Sequence, residues 1–408
     1  MGRSIAANVA LALALPMGAA CSGDGGADRP AADADLGGVQ IVESEAPAWQ
    51  SAPAWRVDTA PSLVLMGDDA PTGTHREPAT VLRRKDGVTV VLDQVVLAVS
   101  AFDSTGRRLW SAGRKGRGPG EFQRLTWGAF LPGDSLLVFD ARLRRFTLLT
   151  AEGRIATSGP DAAVNGMPYG LLTSQLLLVD AFDRSGPRAE PGTWVDSTSL
   201  QSIPRDGGAG TPLGRFPSSE MHADGTGVTN VVFGRSRAVT TDHGHFYFGF
   251  NDRPEIRVFD EAGRLLRIIR WKAEEVRVTE EDRKAEAGRQ VTAARALARA
   301  AGRNPDDVRE RDRAGNPLPE RPRPTAETFP YFERLRVDAL GNLWVQEYER
   351  PRDLGQRWVV FDPSGRWLGR IEMPRGFRVT QIGADFVAGA LMDEDGIEHP
   401  ALFAISRS

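Results

Sequence analysis

Arginines recur beside acids in loops marked by glycine, asparagine or tyrosine. Arg117 and Glu121 lie in Gly113-Arg-Lys-Gly-Arg-Gly-Pro-Gly-Glu-Phe122, Arg253 follows Asn251-Asp252, and Arg350 follows Glu347-Tyr348-Glu349. A guanidinium presents forked donors that match a carboxylate or a phosphate. Arg117, Glu121, Arg253 and Arg350 are therefore candidate ligand-binding residues for an anionic ligand or acidic partner. The competing reading is a solvated surface of mixed charge, and Glu121 has the local option of accepting N–H groups of its own loop. His243 and His245 flank Gly244, but His75, His222 and His399 are distant in sequence, so the pair is expected in a hairpin turn rather than in a metal site. No Gly-x-Ser-x-Gly elbow, phosphate-binding Gly-x-x-x-x-Gly-Lys loop, His-Glu-x-x-His helix or calcium-loop pattern occurs. No catalytic residue is assigned.

The chain that must position these groups has 408 residues, 41% of them hydrophobic, and a net charge of -3. That is ample for a large core. The charge gives no general basic field, so nucleic acid is not an expected partner. The one cysteine, Cys21, excludes a disulfide framework and a Cys-rich zinc site.

Residues 1–20 read as a secretory signal: Arg3, an apolar run from Ile5 to Leu15, then Gly18, Ala19 and Ala20 before Cys21. The ending resembles a bacterial lipobox, which implies diacylation of Cys21 and a membrane partner through that lipid. Gly18 stands where the motif usually carries Leu. Ser22 after the cysteine favours, by the same resemblance, the outer membrane of the cell envelope. Residues 21–50, rich in Gly, Ala and Asp, are expected to form a flexible tether.

From about Trp55 onward, short β-rich runs alternate with Asp/Gly turns. One turn repeats as Ala101-Phe-Asp-Ser-Thr-Gly106, Val258-Phe-Asp-Glu-Ala-Gly263 and Val360-Phe-Asp-Pro-Ser-Gly365. In such a turn Asp accepts local N–H groups and Gly supplies a positive φ. Upstream hairpins such as Leu335-Arg-Val-Asp-Ala-Leu-Gly-Asn-Leu-Trp-Val345 complete units of about 40 residues, the size of a propeller blade. Six units fall near 78–112, 124–157, 168–203, 230–271, 331–373 and 376–406, with the strand over 55–66 expected to complete the last and close the ring.

Gly113–Phe122 resembles the Gly-x-Gly-Pro-Gly-Glu-Phe signature of NHL-type repeats, and the whole of 51–408 resembles the six-bladed, TolB-like propeller lipoproteins of bacterial envelopes. The expected fold is thus all-β: a six-bladed β-propeller of four-stranded antiparallel blades, with a helical and Pro-rich insertion over 272–328 between blades four and five. Thr279 is its expected N-cap, with Asp282 at the capping-box position and Val291, Ala294, Leu297, Ala298 and Ala301 as a modest apolar stripe. The insertion is expected at the rim of the face that bears the blade-to-blade loops.

Function follows from this resemblance less sharply, since propellers host many activities. The leading expectation is a non-catalytic envelope-anchored binding or scaffold protein without cofactor, taking a protein, peptide or glycan on that face. The alternative is a metal-dependent propeller enzyme, lactonase-like or peptide-end lyase-like, with a divalent ion in the central channel.

Overall fold

The computed structural model describes residues 38–49, 55–66, 80–160, 164–181, 191–206, 208–224, 227–300, 324–353, 355–394 and 396–407. The signal, Cys21 and most of the expected tether lie outside them.

Three short strands come first: β1 (Gln40–Ser44), β2 (Trp55–Val57) and β3 (Leu63–Val64). Blade 1 is β4 (Thr80–Arg83), β5 (Thr89–Asp93), β6 (Ala98–Phe102) and β7 (Arg108–Ala112). Blade 2 is β8 (Leu125–Phe130), β9 (Leu136–Asp140), β10 (Arg145–Leu149) and β11 (Ile155–Ser158). Blade 3 has β12 (Gly166–Leu171), β13 (Leu176–Ala181), β14 (Gly192–Pro204), β15 (Thr211–Ala223) and β16 (Val228–Asn230). Blade 4 is β17 (Arg237–Asp242), β18 (His245–Phe250), β19 (Glu255–Asp260) and β20 (Leu265–Trp271). After helix α1 (Glu280–Ala300), blade 5 is β21 (Phe332–Val337), β22 (Leu343–Glu347), β23 (Arg357–Phe361) and β24 (Trp367–Glu372). Blade 6 contributes β25 (Phe377–Ile382), β26 (Phe386–Met392) and β27 (Glu398–Arg407). Each blade is an antiparallel meander, and the first strands β4, β8, β12, β17, β21 and β25 adjoin one another in a closed ring.

The expected six-bladed propeller is the observed fold. The repeated turn works as its residues require. Asp103 accepts the N–H groups of Thr105 and Arg107, and Asp260 and Asp362 repeat the pattern with Ala262 and Arg264, and with Ser364 and Arg366. The glycines that follow, Gly106, Gly263 and Gly365, take φ of 85°, 81° and 90°.

Six apolar clusters fill the six seams between blades. The largest lie between blades 4 and 5, around Ile256, Phe332 and Phe361, and between blades 5 and 6, around Trp344, Trp358 and Phe377. Trp344 and Trp358 are 0% exposed, as expected of blade core. Burying a large apolar side chain of this kind stabilises by about 2–3 kcal/mol. The seam between blades 6 and 1 is the thinnest, with Leu65, Val81, Val91, Phe102, Ala388 and Leu402. Polar links reinforce it: Thr380 Oγ1 donates to Val81 O, Arg83 N–H donates to Gln381 Oε1 at 2.6 Å, and Gln381 Nε2 donates to Arg83 O.

The strand expected over 55–66 closes the ring. β2 pairs antiparallel with the end of β27, Trp55 opposite Arg407, and β3 pairs with its middle, Val64 opposite Ala401. Three expectations need correction. Within the stretch read as tether, Gln40–Ser44 is a strand, parallel to β20 on the outer edge of blade 4. The chain then bonds to blade 5, where Ala48 and Trp49 N–H groups donate to Trp367 O and Leu368 O. Trp49 lies over Gly369, where a Cβ would stand 2.2 Å from the ring, and 5.2 Å from Trp55. The described stretches 40–49 and 55–64 thus run along the edges of blades 4, 5 and 6 in turn. The apolar residues of the first strand, Ile41 and Val42, are adjacent and show no alternation, and Gly- and Asp-rich residues precede them. Secondly, blade 3 extends from Gly166 to Asn230, not to 203, because β14 and β15 form a hairpin of two 13-residue strands. Thirdly, blade 4 starts at Arg237.

A chain beginning at residue 55 should keep the closed ring and melt a few degrees below one beginning at residue 38. A chain beginning at residue 67 should lose the two-state melt, because the edge of β27 is then bare; calorimetry of the three distinguishes these outcomes.

Candidate functional site

The blade-to-blade loops and the insertion share one face. α1 begins as its sequence demands. Asp282 Oδ2 accepts Thr279 N–H and Oγ1–H, Thr279 Oγ1 accepts Asp282 N–H, and Glu280, Glu281 and Asp282 fill the first turn. Arg352, in the β22–β23 loop, donates to Asp282 Oδ1 at 3.1 Å and ties the helix to blade 5. The returning strand is pinned as well. Val278 N–H donates to Glu327 O, Phe329 N–H to Val276 O, and Arg235 donates to Thr328 O and Oγ1 at 2.7 and 2.5 Å. Phe329 packs on Phe233 at 4.9 Å. Of the expected apolar stripe, Ala298 is buried and Val291 half-buried; Ala301 lies outside the described residues.

α1 reaches the mouth of the central channel. Charges of Glu286 and Arg289 on the helix act on Tyr348, and Arg289 acts on Glu333 at the start of β21. Burial pushes the Tyr348 hydroxyl up to about 12. Burial also raises Glu333 above the ordinary carboxylate range, with Glu349 adding to the effect and Arg334 opposing it. Glu333 Oε1 accepts from Gln346 Nε2 at 2.9 Å. The mouth thus holds a carboxyl that keeps its proton at higher pH than a surface glutamate does.

Below the mouth, the six inner strands carry five arginines, Arg83, Arg237, Arg334, Arg336 and Arg378, against two acids, Glu333 and Asp242. Two of the arginines are paired with carboxylates and a third rests on an aromatic ring. Arg237 pairs with Asp180 and donates to Tyr169 Oη at 2.6 Å. Arg378 forms a fork with Glu398 at 3.0 and 2.8 Å. Arg83 lies 5.0 Å over the Phe386 ring. Arg334 and Arg336 have no carboxylate in ion-pair contact among the described residues.

The residues singled out in the sequence are placed separately. Glu121 accepts the N–H groups of Gly118 and Arg117 at 2.9 and 3.0 Å and pairs with Arg114; the Gly118 N–H first, then Arg114, hold its carboxyl below the usual range. A Cβ on Gly116 would stand 2.1 Å from its Oε2, so the glycine makes room for the carboxylate. Arg145, 5% exposed, clamps the loop from below through Arg117 O, Gly118 O and Glu121 O at 3.0, 2.6 and 2.9 Å. The Gly-x-Gly-Pro-Gly-Glu-Phe signature is thus a self-closed loop. Arg350 bonds Asp353 at 3.0 Å, and Arg253 pairs with Asp252 at 3.2 Å beside a cleft of about 310 Å³. That cleft balances its own charges, with Arg270 on Glu43 and Glu255. His243 sits in the β17–β18 turn, 86% exposed and paired with Asp242. No three His, Asp, Glu or Cys side chains converge as metal ligands among the described residues.

No protein-family model and no curated protein matches the chain. Solved structures do match in fold. A member of the DUF4221 family from Bacteroides vulgatus superposes with a TM-score of 0.51 at 10% identity, over 87% of this chain and 99% of that one. A protein from Bacteroides fragilis proposed to be exported matches at 0.48 and 10% identity, over 91% and 99%. A virginiamycin B lyase from Staphylococcus aureus, solved with quinupristin, matches at 0.39 and 12%, over 85% and 99%. These are likenesses of fold.

Two measurements follow. Arg145→Met should cost about 2–4 kcal/mol in urea unfolding, since three partly buried carbonyls lose a charged donor. For Glu333 the folded carboxyl titrates above its unfolded value, so its contribution to stability is full below about pH 4 and is lost as pH rises through the raised value. Glu333→Gln should therefore melt higher than wild type at pH 7 and level with it near pH 4.

Proposed function

We propose that this chain is a non-catalytic binding lipoprotein of the bacterial cell envelope, anchored in the outer membrane through Cys21. It takes a protein, peptide or glycan ligand on the face that carries α1. The observation that carries this reading is the helix itself. None of its described residues belongs to the six apolar clusters between the blades, so the propeller does not need it for closure. Its first turn is nevertheless ordered by a capping box and tied to blade 5 by Arg352, and the chain returning to blade 5 is clamped by Arg235 at Thr328. A rigid scaffold that presents an extra element beside its mouth is the usual arrangement of a recognition surface.

A photo-cross-linker placed at exposed Lys284 on α1 should form discrete adducts in cells, and one placed at His243 on the opposite face should not. Adducts confined to His243 would overturn the placement. The anchor has its own test. Labelled palmitate should enter the wild-type chain and not Cys21→Ala, and that variant should leave the membrane fraction.

A further inference from the structure

Arg334 and Arg336 are two residues apart on β21, after the irregularity between Phe332 and Arg334. Arg334 is opposite Gln346 across the strands, and Arg336 is opposite Trp344, a member of the core between blades 5 and 6. Leu335 and Val337, alternating with them, pack toward blade 4. Both arginines therefore occupy the side of β21 that faces β25, at the wall of the channel.

The surroundings do not satisfy Arg336, and Arg334, half-buried, meets no carboxylate among the described residues. Arg336 Nη1 donates to Leu335 O at 2.9 Å, while its Nε is sealed from water and meets no acceptor. Burial, with the charges of Arg334 and Arg378 nearby, pushes the Arg336 guanidinium down to about 10. The amide oxygen of Gln346 is likewise buried without a donor. A buried charge without its counter-charge is a cost to the fold, and a cost retained in a channel marks a site where function overrides stability.

We propose that the channel wall between blades 5 and 6 is an oxyanion site, in which Arg334 and Arg336 hold a carboxylate or phosphate group of a ligand that enters past α1. The forked donors of two guanidiniums suit such a group, and Gln346 Oε1 is an acceptor for a hydroxyl or N–H next to it. The inference rests on the binding role proposed above and names the chemistry its ligand carries. The two fail separately: cross-linking fails if that face meets nothing, and the experiment below fails only if the arginines take no oxyanion.

The purified protein is melted in dilute Tris chloride, then with inorganic phosphate, with succinate, and with sodium chloride at matched ionic strength. Phosphate or succinate at about a hundred times its dissociation constant should raise the melting temperature by about 3 °C, and chloride should not. Arg334→Met and Arg336→Met should abolish the rise, and Arg117→Met should keep it. Without added anion, Arg336→Met should melt at or above wild type, because it removes an uncompensated charge. A response to phosphate alone assigns a phosphate group and one to succinate alone a carboxylate; either supports the site. Absence of any rise, an equal rise with chloride, or an undiminished rise in both variants overturns it. A drop of several degrees in anion-free Arg336→Met also overturns it, since the side chain is then a structural strut.

Discussion

Everything in this molecule depends on the pairing of the two ends of the propeller, β2 and β3 against β27. A propeller is a ring of separate sheets, and its last sheet has an open edge until a strand from the other end of the chain covers it. The covering strand here does more than pair. Leu65, immediately after β3, is part of the small core between blades 6 and 1. Leu63 and Leu65 also lie against Gly106 of the blade 1 turn, within 3.5 Å of where a Cβ would be. One short segment thus joins blade 6 by hydrogen bonds and blade 1 by packing. The thinness of that seam explains why it also recruits Thr380, Gln381 and Arg83 for directional bonds.

Closure fixes the inner strands around a channel, and the channel separates two kinds of arginine. Arg237 and Arg378 find carboxylates supplied by their own or the neighbouring blade, Asp180 and Glu398. Such pairs hold geometry and leave little charge over. Arg334 and Arg336 lie on β21, whose one acid, Glu333, is tied to Gln346 and keeps its proton more readily than usual. Two of the three inner-strand arginines without a carboxylate therefore sit on blade 5, the blade to which Arg352 and Asp282 secure α1. The helix and the uncompensated arginines are two features of one blade, and neither is required by the apolar packing.

The fold was legible where local chemistry forces geometry. The Phe-Asp-x-x-Gly turns need an acceptor at Asp and a positive φ at Gly, and both can be read from spacing alone. The capping box at Thr279 and Asp282 is legible for the same reason. The edge strand Gln40–Ser44 was not legible, because its stability comes from β20, which lies more than two hundred residues away. The long β14–β15 hairpin carries no repeat signature. The candidate site was mostly hidden. Arg117, Glu121, Arg253 and Arg350 stand out by loop composition, yet Glu121 pairs with Arg114, Arg253 with Asp252 and Arg350 with Asp353, all sequence neighbours, and the Arg117 loop is clamped from below by Arg145. Arg334 and Arg336 look like the outward half of an ordinary alternating strand, and ring closure places that half in a channel. A sequence signal existed, since five arginines against two acids on the inner strands is unusual for a chain of net charge -3, but reading it requires knowing which strand is innermost.

The stretches 40–49 and 55–64 extend the same principle outward, bonding blades 4, 5 and 6 along their edges. Native-state hydrogen exchange tests the closure most directly. The amides of Asp58, Ser62 and Leu65 donate to Ala404, Leu402 and Pro400. If this pairing holds the ring, they should exchange only by global unfolding, at the same rate as the interior amides of β27. Exchange of those three amides by local opening, with β26 and β27 still protected, would contradict it.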